Sequence, residues 1–249
     1  MLIISRQQEI LDILKRQRSV SVAQLSKELF ASEPTVRRDL AYLEKQGYLK
    51  RVYGGAVLGG APDREIPYNV RTEEQEDAKA IIARKASAFL HKGDVVFLDG
   101  SSTAARMVDP ISEVEDVLVV TSGAKTAIAL AERDVRVIST GGQMITHSFS
   151  YVGSHAEACV RSIRADVVFF SCRGLSDEGE MTDISIEEIN LRRAMLERAR
   201  TRVLLCDSSK FGKQYMHSLG YRDSLDAVIS EIDPIQSKAI QENGKDVTP

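Results

Sequence analysis

Three apolar segments of the chain each end in small and hydroxyl-bearing residues. These endings lie at residues 99–103 (DGSST), 121–123 (TSG) and 140–142 (TGG). Where a strand leads into a helix, such residues let backbone N–H groups and hydroxyls converge on an anion at the start of the helix. Small residues also fill tight turns for steric reasons alone. Three such loops in succession favour a binding site for a small molecule that carries a phosphate.

Charged residues follow other apolar segments. Lys210 and Arg173 each come shortly after a segment of strand length, which places them near the same edge of a sheet. Arginine can bind phosphate through two parallel hydrogen bonds, although an exposed salt bridge explains Arg173 equally well. Glu187 is expected to face either a ligand or solvent. Ser185 is expected to cap a helix with Glu188 in the capping-box position, so Glu188 is expected to be structural.

Histidines and cysteines are scattered, without the spacing of a metal site or of a nucleophile paired with a base. They are His91, His147, His155, His217, Cys159, Cys172 and Cys206. We therefore predict no catalytic residue, no metal and no cofactor. Three widely separated cysteines are typical of a reduced, cytoplasmic protein. The sequence has no run of about 18 apolar residues and no signal-peptide pattern at its start, so no membrane partner is expected.

Six apolar segments of strand length alternate with helical segments after residue 72. They occupy residues 95–99, 117–121, 135–139, 166–171, 203–207 and 227–230, and a long helix is predicted before them, from Thr72 to about Leu90. Strands this apolar, separated by helices, indicate a mainly parallel sheet covered on both faces. Ligands of such sheets bind beyond the carboxyl ends of the strands, where the three loops lie. The predicted fold class is α/β.

Residues 31–56 have the pattern of a recognition helix followed by a β-hairpin wing. Ser32 can cap the helix, Pro34 fits its first turn and Gly47 ends it. One face is apolar, with Val36, Leu40 and Leu43 at helical spacing. The opposite face is polar and basic, and it carries Thr35, Arg37, Arg38, Tyr42 and Lys45.

The hairpin is predicted from residues 48–52 and 56–58, which alternate like strands around a tight turn at Gly54-Gly55. A basic helix face suits the major groove of DNA, and a basic hairpin with Arg51 suits phosphates. The alternative is an ordinary amphipathic helix with a solvated charged face.

Two shorter helices are predicted before the recognition helix. Ser5 can cap the first, which runs to about Arg18, and Ser21 opens the second in capping-box form with Gln24. Their buried sides carry Ile10, Ile13 and Leu14, and Val22, Leu25 and Leu29. Three short helices and a hairpin make a winged helix-turn-helix, a DNA-binding fold. A three-helix protein-interaction module is the alternative.

Charge is divided unevenly along the chain. The whole chain has a net charge of −3, whereas residues 1–58 hold ten Lys/Arg and six Asp/Glu, so that the head carries +4 and the remainder −7. A basic head on an acidic body is expected when only the head touches DNA. We predict a DNA-binding domain at residues 1–58, a Gly- and Pro-rich linker at 59–71 and a second domain at 72–249.

Together these stretches resemble the DeoR family of bacterial transcriptional regulators over nearly the whole chain. In the head, the resemblance rests on residues 35–40 (TVRRDL), 43–44 (LE), 47–49 (GYL) and 51–56 (RVYGGA). Beyond the head, the resemblance rests on Arg71, Lys79, residues 99–103, Gly141-Gly142, Gly153, Glu187 and residues 207–211 (DSSKF).

The resemblance implies a sensor domain of the ribose-phosphate isomerase and CoA-transferase type, which answers to a phosphorylated sugar or sugar-like effector. It also implies homo-oligomers, as dimers or tetramers, on double-stranded operator DNA beside carbohydrate genes, most often as repressors that the effector releases. The residues expected to bind the effector are Lys79, Asp99, Gly100, Ser101, Ser102, Thr103, Thr121, Ser122, Gly123, Gly141, Gly142, Arg173, Glu187 and Lys210.

Three departures from the family pattern bear on specificity. Ala31-Ser32-Glu33 stands where the family usually has Val-Ser, which puts an acid at the start of the recognition helix. Residues 121–123 read Thr-Ser-Gly where the family often has Thr-Asn-Ser. Cys172-Arg173 replaces smaller apolar residues, so Arg173 can be an effector contact peculiar to this chain.

Two other functions remain open at this point. The first is a sugar-phosphate isomerase with an accessory DNA-binding head, in which Asp183, Glu187 and Lys210 form an acid/base set. The second is a constitutive DNA-binding protein whose second domain only oligomerises.

Overall fold

The computed structural model describes residues 3–45, 48–58 and 67–232. The chain divides into two compact units, Met1–Arg71 and Thr72–Pro249. Within the described part of the chain, no helix is both long enough and apolar enough to cross a membrane. Gly47, which was predicted to end the recognition helix, and residues 59–66 of the predicted linker lie outside the described residues.

The first unit combines three helices with a small antiparallel sheet. Its helices are α1 (Ile3–Gln17), α2 (Val22–Glu28) and α3 (Glu33–Lys45), and its strands are β1 (Ser19–Ser21), β2 (Leu49–Val52) and β3 (Gly55–Leu58). The strand order is β1-β3-β2. The predicted hairpin is confirmed, but its turn lies at Tyr53-Gly54 and not at the predicted Gly54-Gly55, because Gly55 already belongs to β3. The third strand, β1, was not predicted. Gly55 lies in β3 so close to the backbone of β1 that a Cβ would clash with the Val20 carbonyl oxygen.

The apolar positions predicted for the three helices form one core. All nine are buried, and they pack with β-sheet residues such as Val20, Leu49 and Ala56. Asp39 of α3 accepts hydrogen bonds from Arg6 Nε at 2.6 Å and Gln7 Nε2 at 3.3 Å, which fastens α1 to α3. The hydrogen bond that Arg6 donates to Asp39 raises the pKa of Arg6. The recognition helix is therefore held by both apolar packing and a charged hydrogen bond.

Two of the predicted helix caps need correction. The first helix begins at Ile3, so Ser5 is an interior position of its first turn. Ser21 does cap α2, since its hydroxyl accepts from Gln24 N at 3.1 Å. The Gln24 side chain, however, donates to Gln17 and Glu28, so it does not complete a capping box.

The second unit is built around a six-stranded parallel sheet. The helices from Tyr68 onward are α4 (Tyr68–Glu73), α5 (Glu76–Ala86), α6 (Val108–Ser112), α7 (Ala124–Ala131), α8 (Ser154–Arg161) and α9 (Ile186–Arg198). The strands are β4 (Val95–Leu98), β5 (Leu118–Thr121), β6 (Arg136–Ser139), β7 (Gln143–Ile145), β8 (Ser150–Val152), β9 (Ala165–Phe170), β10 (Gly174–Leu175), β11 (Glu180–Asp183), β12 (Ala199–Leu205), β13 (His217–Tyr221) and β14 (Ala227–Ile229). Short 3-10 helices lie at Ser87–Phe89, Ala104–Met107, Ser208–Lys210 and Arg222–Ser224.

The large sheet has the strand order β14-β12-β9-β4-β5-β6, and every neighbouring pair in it is parallel. Alternate residues of its strands point to opposite faces. Phe97 and Val168 join a core that includes residues of α8 and α9, whereas Leu98 and Phe169 join a second core with residues of α5, α6 and α7. The predicted α/β class and all six predicted strands are confirmed. Burying each large apolar side chain stabilises the fold by about 1.5–3 kcal/mol.

The long helix predicted from Thr72 to Leu90 is wrong in one respect, because two helices occupy this stretch. Helix α4 ends at Glu73 and α5 begins after Gln75, which has a left-handed backbone with φ of 54°. The break frees the Glu74 carbonyl oxygen, which accepts from Lys79 Nζ at 2.6 Å. Helix α4 also includes residues 68–71, which had been assigned to the linker.

Two smaller sheets were not predicted. Strands β10, β11 and β13 form an antiparallel sheet, and β7 and β8 form a hairpin. The backbone of Ser150 in β8 forms an isolated antiparallel bridge with Gly123, so the hairpin lies against the loop that follows β5.

Candidate functional site

The loops predicted to bind a ligand lie together at the carboxyl edge of the parallel sheet. Strands β4, β5, β9 and β12 are arranged so that their carboxyl ends point the same way, which places residues 99–103, 121–123, 171–173 and 207–210 along one edge. We call this edge the rim. Most polar side chains of the first two loops are buried, including those of Asp99, Ser101, Ser102, Thr103 and Ser122.

Asp99 fixes the shape of the first loop. Its Oδ1 accepts from Ser101 N at 3.0 Å and from Ser101 Oγ at 2.6 Å. Its Oδ2 accepts from Ser171 N at 3.2 Å and from Arg192 Nε at 2.8 Å. Asp99 was predicted to bind the effector directly, but both of its carboxylate oxygens already hold the loop, β9 and α9 together. Its role in this structure is to position the loop.

Two lysines reach the hydroxyls of this loop from different elements. Lys210 Nζ donates to Thr103 Oγ1 at 3.0 Å and to Ser171 Oγ at 2.8 Å. Lys79 Nζ, on α5, donates to Ser102 Oγ at 3.3 Å. The hydroxyls of Ser102 and Thr103 thus each accept a hydrogen bond from a lysine ammonium group. These two positive charges make this part of the rim suitable for binding an anion.

Asp207 balances part of this positive charge. Its Oδ2 lies 3.2 Å from Lys210 Nζ. Burial raises the pKa of Asp207, but the charge of Lys210 and a hydrogen bond from Ser209 outweigh this effect and hold the pKa below its usual range. The carboxylate therefore stays ionised beside Lys210 at neutral pH.

Glycines allow the loops after β4 and β5 to touch. A Cβ on Gly123 would lie 3.3 Å from Gly100 Cα and 2.8 Å from Thr126 Oγ1, and a Cβ on Gly100 would clash with the Ser150 hydroxyl. Thr121 Oγ1 accepts from Gly123 N at 3.1 Å and so turns the second loop. Both glycines are required for close approach of the backbone.

The glycines of the third loop are required for a different reason. Gly141 and Gly142 have φ of 62° and 106°, a left-handed backbone that favours glycine. A Cβ on Gly142 would lie 2.5 Å from the Val152 carbonyl oxygen and 3.2 Å from Ala156 Cβ. The left-handed backbone explains Gly141, where an added Cβ would meet nothing within 4 Å, and tight packing against β8 and α8 explains Gly142. The steric interpretation of the loop is therefore favoured.

A buried ionic cluster lies behind the rim. Arg192 of α9 pairs with Asp99 at 2.8 Å, with Asp183 at 2.6 Å and with Glu188 at 3.3 Å. Burial lowers the pKa of Arg192, but Asp183 and Asp99 outweigh burial, so the net shift is upward. Burial likewise raises the pKa of Asp183, yet the charges of Arg192 and Arg173 bring it below its usual range. Asp183 and Arg192 therefore remain charged at neutral pH.

Arg173 and Glu187, two predicted effector contacts, have structural partners. Arg173 Nε lies 3.5 Å from Asp183 Oδ1, and its guanidinium carbon is 5.7 Å from the Tyr215 ring centroid. Exposed Glu187 accepts from the Ser185 hydroxyl at 3.3 Å. The Ser185 hydroxyl also caps α9 by accepting from Glu188 N at 3.2 Å, as the sequence predicted.

The proposed acid/base set of Asp183, Glu187 and Lys210 is divided among different partners. Asp183 pairs with Arg192, Glu187 bonds to Ser185, and Lys210 bonds to Thr103 and Ser171. Sequence reasoning missed Arg192, because a single arginine on a helix is normally exposed. Its position three residues after buried Ile189 and one after buried Leu191 is the available signal.

The second candidate surface is the polar face of α3 in the first unit. Arg37 is exposed, and its Nη2 lies 3.2 Å from Glu33 Oε2. Arg38 is exposed, with Nε 3.5 Å from the Pro34 carbonyl oxygen. Thr35 Oγ1 is 2.9 Å from Ser32 Oγ, and Tyr42 is half exposed. The weak, solvent-screened contacts of both arginines leave them available to DNA phosphates or bases.

Arg51 in the wing is held more firmly. Its backbone N and its Nε donate to the Glu44 carboxylate at 2.9 and 2.7 Å. These bonds lower the pKa of Glu44. They connect β2 to the end of α3, so the wing and the recognition helix are fixed to one another. Lys45 is the last residue of α3, and its side chain is outside what the structure describes.

Two family models match separate parts of the chain. Residues 6–59 match a family model described as a DeoR-like helix-turn-helix domain, and residues 74–231 match the DeoR C terminal sensor domain. The chain belongs to the DeoR family. It is a DNA-binding transcriptional regulator with an effector-sensing domain.

DeoR-family relatives match along almost the whole chain. The "Uncharacterized HTH-type transcriptional regulator YulB" of Bacillus subtilis (strain 168) is 33% identical over 251 residues, covering 100% of this chain and 97% of the relative. The "L-fucose operon activator" of Escherichia coli (strain K12) is 30% identical over 230 residues, covering 91% of this chain and 94% of the relative.

A solved structure with a similar fold is eIF2B delta from Chaetomium thermophilum. It is 15% identical to this DeoR-family chain, with a TM-score of 0.50, and the match covers 82% of this chain and 65% of the other. At this level of identity the similarity is one of fold.

Proposed function

We propose that this DeoR-family protein represses carbohydrate genes and releases their operator when a phosphorylated sugar or related metabolite binds at the rim. The observation that carries the effector class is the pair of lysines, since Lys79 and Lys210 donate to the hydroxyls of neighbouring residues 102 and 103. A phosphate oxygen can replace each hydroxyl as the acceptor of a charged hydrogen bond. The assignment to carbohydrate genes is supported by the relative named for an L-fucose operon.

The rim is suited to binding an effector without converting it. An isomerase needs a carboxylate or another base that can take a proton from the substrate. Asp99 and Asp183 are each paired with Arg192, and Asp207 faces Lys210. Lowered pKa values make Asp183 and Asp207 weak bases. These pairings favour a sensor over an enzyme.

DNA binding is assigned to α3 and the wing. The polar face of α3 enters the major groove, where Thr35, Arg37, Arg38, Tyr42 and Lys45 contact bases and phosphates, and Arg51 contacts phosphate beside it. A homo-oligomer, as a dimer or a tetramer, presents paired heads to repeated half-sites. The effector weakens operator binding only if it favours one arrangement of the heads over another.

The effector assignment is tested by a thermal-shift screen of the full chain with phosphorylated sugars, sugar alcohols and trioses beside their unphosphorylated counterparts. A ligand at about 100 times its Kd should stabilise the protein by about 2.7 kcal/mol. We expect the melting temperature to rise only with phosphorylated compounds. Equal shifts with the unphosphorylated counterparts would contradict the phosphate site.

The Lys210→Met variant shows whether a phosphorylated hit binds at the rim. Losing a charged hydrogen bond of about 1.5–3 kcal/mol should weaken binding by roughly 10- to 100-fold. Lys213→Met is the matched control, because Lys213 is exposed three residues away. A reporter gene fused to the operator gives the sign of regulation. Expression should rise when the regulator is deleted, and a fall would show activation.

A further inference from the structure

Ser150 carries a buried hydroxyl without a hydrogen-bond partner. Its side chain lies in the hairpin strand β8, and the residue is 2% exposed. Its Oγ is among the buried side-chain atoms of the described residues that form no hydrogen bond. An unsatisfied buried hydroxyl costs free energy, so its retention calls for a hydrogen-bond partner such as an ordered water or a ligand group.

Ser150 lines a small cavity beside the rim, which we call the Ser150 cavity. Its polar wall is formed by Asp99, Ser122, Ser150, Glu188 and Arg192, and the rest is formed by Gly100, Tyr151, Val152, Leu191 and Met195. Its volume is about 10 Å³, near the lower limit for one water molecule. The cavity therefore fits a single hydroxyl-sized group.

Because Gly100 has no Cβ, the Ser150 hydroxyl can lie next to the first loop of the rim. A Cβ there would clash with Ser150 Oγ and would lie 3.4 Å from Ser122 Oγ. Two hydroxyls from different elements, Ser122 and Ser150, thus converge on the backbone of Gly100. Tyr151 N donates to the Ser122 carbonyl oxygen at 2.8 Å and holds the hairpin in this position.

The charges of the wall decide which group the cavity takes. Asp99 and Glu188 are acidic, and Arg192 is bonded to both of them. A phosphate would face these two carboxylates, whereas a neutral hydroxyl can donate to one polar group and accept from another. The size and the charge of the cavity both select a hydroxyl over a phosphate.

We propose that the Ser150 cavity binds one hydroxyl group of the effector, while the phosphate of the same molecule binds beside Lys79 and Lys210. This assignment rests on the proposed sugar-phosphate function and adds a specificity-determining residue to it. Without the effector, an ordered water occupies the cavity. A sugar hydroxyl displaces that water and reproduces its hydrogen bonds, whereas a deoxy compound leaves Ser150 unpaired.

The first test needs no effector. A crystal structure of the unliganded full chain at a resolution that shows ordered water should contain a water bonded to Ser150 Oγ. In the Ser150→Ala variant this water should be lost or displaced. An empty cavity in the wild-type crystal would overturn the proposal.

The second test compares matched pairs of sugar phosphates by calorimetric titration. The probes are ribose 5-phosphate with 2-deoxyribose 5-phosphate, and glucose 6-phosphate with its 2-deoxy and 3-deoxy forms. We expect the wild type to prefer the hydroxylated member of at least one pair by about 10-fold or more, and Ser150→Ala to reduce that preference to below about 3-fold. Ser148→Ala is the matched control, because Ser148 is also buried with an unpaired Oγ but does not line the cavity.

The outcomes of the titration distinguish a failure of the cavity assignment from a failure of the proposed function. A preference that persists unchanged in Ser150→Ala would overturn the cavity assignment and leave the phosphate site standing. The same sugars without phosphate belong in the titration. If they bind as tightly and their hydroxyl preference depends on Ser150, the phosphate site fails and the cavity assignment survives. Binding of no sugar in either form would overturn both.

Discussion

Arg192 Nε donates to Asp99 Oδ2 at 2.8 Å and thereby joins α9 to the first loop of the rim, 93 positions earlier in the chain. Asp99 in turn bonds to Ser101 and Ser171. The loop that carries the proposed phosphate site is therefore held in place by a buried arginine that is itself bonded to Asp183 and Glu188.

Replacing Arg192 with methionine should strongly destabilise the second unit. The variant leaves Asp99 and Asp183 buried with their principal positive charge removed, and breaking a buried ion pair in this way costs about 3–5 kcal/mol. Differential scanning calorimetry of the full chain measures the change. Arg193→Met is the matched control, because Arg193 is exposed and donates to the Ser218 carbonyl oxygen, with no acidic partner among the described residues. Equal effects of the two variants would contradict the assigned role of Arg192.

Acid should destabilise the second unit through Asp183. The pKa of Asp183 is lower in the folded protein than its usual value, so the unfolded chain takes up a proton first as the pH falls. The stabilisation is fully present above the unfolded pKa, about 3.9, and is lost as the pH falls through the folded value. Calorimetric melting temperatures between pH 3 and 7 should fall below about pH 4 in the wild type. The melting temperature of Asp183→Asn should fall less steeply with pH. Parallel curves for the two proteins would exclude Asp183 as a source of the acid destabilisation.

The parallel sheet could be predicted because its strands are mainly apolar runs separated by segments of helical pattern. The burial of Arg192 was missed because one of its three acidic partners, Asp99, comes from the loop after β4, 93 positions earlier in the chain, although Asp183 and Glu188 are close to it in sequence. The left-handed Gln75 was equally hidden, because residues 72–90 otherwise have helical composition. Ser150 lies in a strand of three residues, too short to show alternation. Tertiary contacts decide all three features.

Removing both exposed arginines of α3 should abolish operator binding while the fold remains. Arg37→Ala/Arg38→Ala loses two cations whose present contacts are exposed and weak. We expect at least about 100-fold weaker binding to an operator selected from random duplex DNA. The slope of log K against log salt should fall by about 1 for each lost phosphate contact.

The matched control for the Arg37→Ala/Arg38→Ala variant removes two positive charges from the second unit instead. Arg133→Ala/Arg136→Ala removes two exposed arginines there, and operator binding should stay within about 3-fold of the wild type. Circular dichroism confirms that both double variants are folded. If the α3 variant binds as the wild type does, the recognition-helix assignment is wrong.

Replacing Phe30 with glycine should stabilise the head. Phe30 lies in the turn between α2 and α3 with φ of 50°, and its side chain is 96% exposed. A left-handed backbone strains any residue with a Cβ by about 1–2 kcal/mol, and this aromatic side chain gains little burial in return. Phe30→Gly should therefore raise the stability of the head by about 0.5–1 kcal/mol, after allowance for the greater entropy of glycine in the unfolded chain. Phe30→Ala keeps the Cβ and should change stability by less than about 0.5 kcal/mol. Calorimetric melting of the full chain compares the three proteins, and a Phe30→Gly variant that melts below Phe30→Ala would show that the backbone at this turn is not strained.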